Sequence, residues 1–378
     1  MKIAIIVPRY GSDLAGGAER LARGLAEQSA GRGHAVEVWT SCATNHYSWA
    51  NELPAGLTTL NNVPVRRFAI DPWDVSRRAE LEGQLAVRGT LPVAEQYEWL
   101  ACGPVSAALC AYAAGRAPQF DAILSMPYLN SLTYYPAWVA PEKTYLLPCL
   151  HDEVYAYLEP IRLLMENVAG VLFNAPEEAA LANQRLRMKL RYQAVLGIGV
   201  EPLAAVPAGA IQPRLLYVGR LEGGKNVPLL YDFVQRYAEE GGKAGLTVIG
   251  SGPLEPPNHP AFTFRGFVSE AEKAAVCSTA LALCQPSLNE SFSFTVMESW
   301  LAARPVLVHL GSAVTWGHVR RSKGGLAFSN YEEFAQAVDW LQNNPHLASR
   351  MGTNGRAYVD HNYRWPTIID RLERILSQ

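Results

Sequence analysis

Short apolar runs rich in β-branched residues alternate with longer stretches of helical periodicity along almost the whole chain. In the first half, Ile3–Val7, Val36–Thr40, Val65–Phe68, Ala122–Ser125, Thr144–Leu147 and Val171–Phe173 read as strands. In the second half, Leu215–Gly219, Leu246–Ile249, Phe262–Phe267, Leu281–Cys284, Val306–Val308 and Leu326–Phe328 read the same way. Apolar runs of this kind are buried on both faces, which predicts parallel sheets covered by helices. The pattern restarts near the middle. Ala204–Ala210 reads as a linker of small residues with Pro and Gly, and Arg214–Arg220 as the first strand of a second unit. The expected class is α/β, with two doubly wound, Rossmann-like domains facing each other across a cleft.

Length and charge narrow the function. A chain of 378 residues suits two domains. A net charge of −2, with 18% charged and 49% hydrophobic residues, describes a globular protein and excludes a global nucleic-acid binder. The six cysteines are scattered without a C-x-x-C pair, which reads as reduced thiols in a cytosolic protein. The opening apolar run is too brief for a signal sequence, and no apolar stretch approaches the ~20 residues of a spanning helix.

Ligands of open parallel sheets bind at the carboxyl ends of strands, so the loops there carry the candidate chemistry. The first, Pro8–Arg20, holds the pair Gly16-Gly17 at the entry to a helix, where backbone can approach a ligand. It is neither G-x-G-x-x-G nor a P-loop, and a plain strand-to-helix turn explains it equally well. The second is His151-Asp152-Glu153, just past an apolar run. No second histidine at ligand spacing and no D-x-D triplet accompanies it, so no metal ligand is assigned. The third, Gly219-Arg220 to Lys225, places two cations and two glycines before a helix, which suits a diphosphate; solvated surface charge is the blander account. The fourth runs from Pro286 to Glu298: Glu290 in the loop, Ser293 near the helix N-cap, and Glu298 on the second turn. A carboxylate at that place accepts hydrogen bonds from vicinal hydroxyls, as a sugar or a ribose offers.

Together these features resemble the retaining glycosyltransferases of family 4, which have the GT-B fold. The likeness covers Gly16-Gly17, His151, Asn174–Glu178, Gly197–Val200, Arg220/Lys225, Gly250–Pro253 and the pair Glu290/Glu298 with E-x7-E spacing. The resemblance implies an acceptor-binding domain over 1–200 and a nucleotide-sugar domain over 201–378, with the last helix, about 363–378, packing back on the first. It implies that Glu298 binds ribose hydroxyls, that Glu290 and the amides of Ser291, Phe292, Ser293, Phe294 and Thr295 hold the donor sugar, and that Arg220 and Lys225 grip the diphosphate. It places His151 beside the anomeric centre, Gly16 and Gly17 over the phosphates and acceptor, and Gly219, Gly250 and Ser251 along the donor. Many members carry glycine where Ser291 and Ser293 stand here. Serine resists a positive φ, or else adds hydroxyls toward a sugar.

The expected activity is retaining, metal-independent transfer of a hexose from a UDP- or GDP-linked donor, with no cofactor, in bacterial surface polysaccharide or glycolipid synthesis. The expected acceptor is a saccharide or lipid-linked saccharide; candidates to hold it are Asn45–Asn51 and the segment Trp73–Trp99 with Arg77, Arg78, Tyr97 and Trp99, whose aromatics a core explains equally well. The alternation of cation and apolar residue in Arg185–Arg191 reads either as a solvated helix face or as a peripheral contact with the inner membrane surface. The alternatives are a GT-B sugar-nucleotide epimerase or hydrolase, and a non-catalytic nucleotide-sugar-binding protein.

Overall fold

The computed structural model describes residues 1–12, 14, 16–204 and 209–378. Asp13 and Ala15 of the first loop, and the centre of the expected linker at 205–208, lie outside the described residues. The chain forms two units: 1–199 together with 365–378, and 200–364.

The first unit holds β1 (Lys2–Ile6), β2 (Ala35–Ser41), β3 (Gly56–Leu60), β4 (Val63–Phe68), β5 (Ala122–Ser125), β6 (Thr144–Leu146), β7 (Gly170–Phe173) and β8 (Gln193–Val195) in the sheet order β3-β4-β2-β1-β5-β6-β7-β8. The inner strands are buried along their length, which is why they carry nearly continuous apolar runs: every residue of Ile3–Ile6, Ala122–Ser125 and Gly170–Phe173 is buried. Two strands escape the sequence pattern. β3 is mostly exposed and pairs antiparallel with β4 through a tight turn whose Asn61 and Asn62 adopt φ of 48° and 63°. β8 is a three-residue edge strand with an exposed–intermediate–exposed pattern.

The second unit holds β9 (Arg214–Val218), β10 (Gly245–Ile249), β11 (Phe262–Gly266), β12 (Ala282–Gln285), β13 (Val306–His309) and β14 (Gly325–Phe328). Every pairing is parallel and the order is β11-β10-β9-β12-β13-β14. That is the doubly wound order 3-2-1-4-5-6, and β4-β2-β1-β5-β6-β7 repeats it in the first unit. In each unit the strand order reverses between the first strand and the fourth of the six, at β1/β5 and at β9/β12. The loops leaving those strands are where a doubly wound sheet opens a crevice.

The C-terminal helix Trp365–Leu376 belongs to the first unit. Its buried Trp365 lies against Gly24 and Gly199, at which any Cβ would collide with the indole. Ile368, Ile369 and Leu372 are buried beneath it, and Arg371 donates to the Leu196 carbonyl at 3.2 Å.

The Arg185–Arg191 strip is not a helix face. A π-helical turn ends at Arg185, and beyond it the chain runs irregularly, with Met188 buried and Leu186 and Leu190 packed against the core. The cations between them are exposed. The alternation thus belongs to an irregular strip, with Arg187 at φ 53°, whose apolar residues turn inward and whose cations turn outward.

Candidate functional site

In the second unit the loops after β9 and β12 meet at the switch point. The β9 loop carries Arg220, then a 3-10 turn at Gly223–Lys225, then Asn226 at φ 55° as the N-cap of helix Val227–Glu239. Asn226 Nδ2 donates to the Pro286 carbonyl at 3.1 Å and so fastens the two loops together. Across this junction Lys225 Nζ lies 2.7 Å from Glu290 Oε1, and both side chains are largely withdrawn from solvent, at 24% and 10% exposed. Arg220 is more open and pairs with Glu222 at 3.1 Å. The buried Tyr217 hydroxyl donates to the Arg220 carbonyl at 2.8 Å and holds the start of this loop. Burial, with the Glu290 charge next, pushes that phenol well above its ordinary pKa.

The β12 loop ends at Ser293, the N-cap of helix Phe294–Leu301, with φ 73° and ψ 87°. A serine therefore occupies the left-handed conformation that glycine adopts without cost. Its hydroxyl is used inside the protein: Gln285 Nε2 donates to Ser293 Oγ at 3.1 Å and to Thr295 Oγ1 at 3.3 Å. Of the two readings of the serines, Ser293 answers to strain, with a hydroxyl turned to its own loop. Ser291 has no positive φ. The expectation for Phe292 concerned its amide; its ring is buried against Phe294, His318 and Tyr363 and packs the loop.

Glu298 sits on the second turn of the helix, 6% exposed, in a pocket lined by Leu203, Val218, Ala274, Cys277, Leu283 and Thr295. Its partner was not foreseen: Lys273 Nζ, from helix Glu270–Thr279, lies 3.2 Å from Oε2. The only sequence signal was a lysine on the stripe that also carries Ala274 and Cys277, both buried. Burial, with Glu298 next, pushes the Cys277 thiol up to about 12, so this cysteine is inert packing.

The glycines at the strand ends shape the loops. Gly219 N–H donates to Ile249 O at 3.0 Å and Gly250 N–H to Gly266 O at 2.8 Å, so neither amide is aimed at a ligand. A Cβ on Gly250 would collide with the Gly219 carbonyl, which explains why only glycine fits there. The carbonyl of Ser251 accepts from Leu221 N at 2.9 Å, tying the two loops.

In the first unit the β1 loop is braced by a buried ion pair between Arg9 and Glu19, and Arg9 also donates to the Thr44 carbonyl at 2.8 Å. Gly16 has extended backbone and caps helix Gly17–Gly31; a Cβ there would strike Glu19, whereas one on Gly17 would meet nothing within 4 Å. His151 is 28% exposed, with Nδ1 3.6 Å from Glu153 Oε1. Burial opposes ionisation of Glu153, but His151 and the Tyr128 hydroxyl, 2.8 Å away, outweigh it and hold the carboxyl below its ordinary range. Behind the histidine, the fully buried Glu178 accepts from the amides of Asn174, Ala175 and Leu150, joining the β6 loop to the helix Pro176–Ala180. Burial pushes Glu178 up to about 8.

Of the two readings of the Trp73–Trp99 segment, packing favours the core for Trp99, Arg78 and Arg77. Trp99 is fully buried, stacked with Tyr155 and capped by Arg78 at 3.7 Å, and Arg77 is held by Glu98 and Glu80. These side chains build the core and its rim. By contrast Tyr47 is 71% exposed, and Tyr97 is exposed as well. Among the described residues no group of three or more His, Cys, Asp or Glu side chains converges as metal ligands, and no helix is long and apolar enough to cross a membrane.

Residues 212–344 match the family model described as glycosyl transferases group 1. Glycosyltransferase 1 domain-containing protein 1 of Xenopus tropicalis is 28% identical over 112 residues, 29% of this chain and 31% of that protein. The chain spans less than half the length of the curated relatives it matches. Among solved structures, sucrose-phosphate synthase from Thermosynechococcus elongatus aligns with a TM-score of 0.73 at 18% identity, over 100% of this chain and 98% of that one. Anabaena HepE in complex with UDP and glucose aligns with a TM-score of 0.71 at 15% identity, over 100% and 99%. The two Rossmann-like α/β units are thus those of the GT-B fold.

Proposed function

We propose that the chain is a retaining, metal-independent glycosyltransferase that moves a hexose from a UDP- or GDP-linked donor to a saccharide or lipid-linked saccharide. The observation that carries this reading is the junction at the β9/β12 switch point. Lys225 and Glu290 are paired there at 2.7 Å, and the buried Glu298 stands on the helix that opens beside them. The group 1 match covers this same stretch.

In this reading Glu298 accepts hydrogen bonds from the ribose hydroxyls and Glu290 from the donor sugar. The diphosphate draws Lys225 and Arg220 from their carboxylate partners and is neutralised by them. The bond from C1 of the sugar to the phosphate oxygen breaks as the bond from C1 to the acceptor oxygen forms on the same face. The acceptor's proton passes to the departing phosphate oxygen, so no protein nucleophile is required. In the first unit this reading keeps His151, 3.6 Å from Glu153, and the Gly16-Gly17 turn as its candidate residues. The reaction is placed in the cytoplasm, in surface polysaccharide or glycolipid synthesis. The exposed cations of the 185–191 strip are available to an anionic leaflet where the acceptor is lipid-linked.

A thermal-shift screen against UDP-, GDP-, ADP- and TDP-sugars tests the reading first. A donor at a hundredfold excess over its Kd stabilises by about 2.7 kcal/mol. Acceptor-dependent consumption of the stabilising donor, with an axial donor linkage preserved in the product and turnover undiminished by excess EDTA, is the expected result. Inversion at C1, or loss of turnover on chelation with recovery in magnesium or manganese, contradicts it.

A further inference from the structure

We propose that Lys273 is a positioning residue for nucleotide recognition: it fixes the Glu298 carboxylate against the vicinal hydroxyls of a ribose, and so sets the preference for a ribonucleotide over its 2′-deoxy counterpart. This rests on the donor-site reading of the second unit. Glu298 has a side chain only 7% exposed, among Val218, Cys277, Leu283 and Thr295. A carboxylate in such surroundings is strongly disfavoured unless a cation and hydrogen-bond donors compensate it. Lys273, 13% exposed, supplies the cation at 3.2 Å. Its other partner, Glu270 at 2.8 Å, is 80% exposed, so solvent screens that contact far more than the one to Glu298.

The pairing is informative because packing does not require it. Ala274 and Cys277, on the same face of helix Glu270–Thr279, are buried, and an unbranched apolar side chain at 273 would fill the same space without importing a charge. What the ammonium adds is a fixed charge and a fixed orientation. It engages Oε2 from one side and restrains that oxygen, and a carboxylate has about four lone-pair sites, more than one ammonium uses. A vicinal diol needs that: two hydroxyls meeting one carboxylate demand a defined plane, whereas a 2′-deoxyribose presents one hydroxyl and tolerates a loose one. A site built to hydrogen-bond a hydroxyl discriminates against the analogue that lacks it.

The test is a comparison across protein and ligand, by calorimetry on the full chain with UDP against 2′-deoxy-UDP and GDP against 2′-deoxy-GDP. The wild type is expected to prefer the ribonucleotide of its donor base by about tenfold or more, the loss of one hydrogen bond to a charged group. Lys273→Met is expected to reduce that preference to within about threefold, mainly by weakening the ribonucleotide, while Lys273→Arg, which keeps the charge, retains it. Lys273→Gln gives the same readout if the methionine variant does not fold. If the preference survives in folded Lys273→Met and Lys273→Gln, or if both nucleotides weaken equally, Lys273 only supports its helix and the proposal is overturned. If the wild type binds neither UDP nor GDP, the donor-site reading itself fails and takes this proposal with it.

Discussion

Ser293 shows how one residue can carry opposing terms. Its φ of 73° is unfavourable for a side chain with a Cβ, by roughly 1–2 kcal/mol in the left-handed region. Its hydroxyl returns about 1 kcal/mol through Gln285. Ser293→Gly is therefore expected to change stability by less than about 1 kcal/mol, whereas Ser293→Val keeps the strain, adds branching and loses the hydroxyl, at a cost of about 2 kcal/mol or more. Urea unfolding of the two variants checks the order; equal losses would mean that the positive φ is not what constrains this position. At the same junction, removing the Lys225 ammonium is expected to lower kcat by about 10²–10³-fold with a smaller rise in donor KM, because in the proposed reaction the cation acts on charge that develops as the phosphate leaves. Steady-state kinetics on folded Lys225→Ala decide it, and a change confined to KM would reduce Lys225 to a binding residue. Glu290, Glu298 and Lys225 could be picked out in the sequence because their spacing is local to two loops. Lys273 could not, since its partner lies on another helix and only packing brings them to 3.2 Å.

At the scale of elements, the buried strands were legible and the edge strands were not, for one reason. A strand covered on both faces writes its burial into consecutive residues, as Ile3–Ile6 does. β3, exposed on most positions, and β8, three residues at an edge, leave no such record, and the antiparallel hairpin depends on Asn61 and Asn62. The cation–apolar alternation of 185–191 is visible in the sequence, but its period of two does not fit a helix face, and the helical turn ends at Arg185.

The loop that ends at Ser293 is held by a cluster that periodicity does not reveal: His318, buried, with Nδ1 3.0 Å from Tyr358 Oη and its ring edge-on to Phe292 and Tyr363. Burial, with Arg321 next, pulls this imidazole down to about 3, against an ordinary 6.5. The native state then holds His318 neutral while the unfolded chain binds a proton below 6.5. Stability is lost as pH falls from 6.5 toward 3, by on the order of 1 kcal/mol per pH unit. His318→Gln is expected to flatten that limb of the Tm–pH curve; an unchanged slope between pH 6.5 and 5 would show that another group controls it.

At the scale of the whole molecule, two sheets that share a six-strand order are joined by a chain that leaves the first unit after Gly199 and rejoins it at Trp365. The second crossing makes the C-terminal helix a structural part of the first unit, with Trp365 seated on Gly24 and Gly199. Trp365→Ala is expected to cost about 3–5 kcal/mol. It should act on the first unit, so the second should still bind nucleotide in a calorimetric titration of the folded variant. Loss of nucleotide binding at temperatures where the variant remains folded would show that this helix supports the second unit as well.

The central claim is that the second unit binds a nucleoside diphosphate sugar through the carboxylate of Glu298 at the β9/β12 switch point. Calorimetric titration of the preferred nucleoside diphosphate into wild type and folded Glu298→Ala tests it most directly. Saturable binding to the wild type, weakened by about 1.5–3 kcal/mol in the variant, is the predicted result. Equal affinity in the two proteins, or no saturable binding to the wild type, would contradict it.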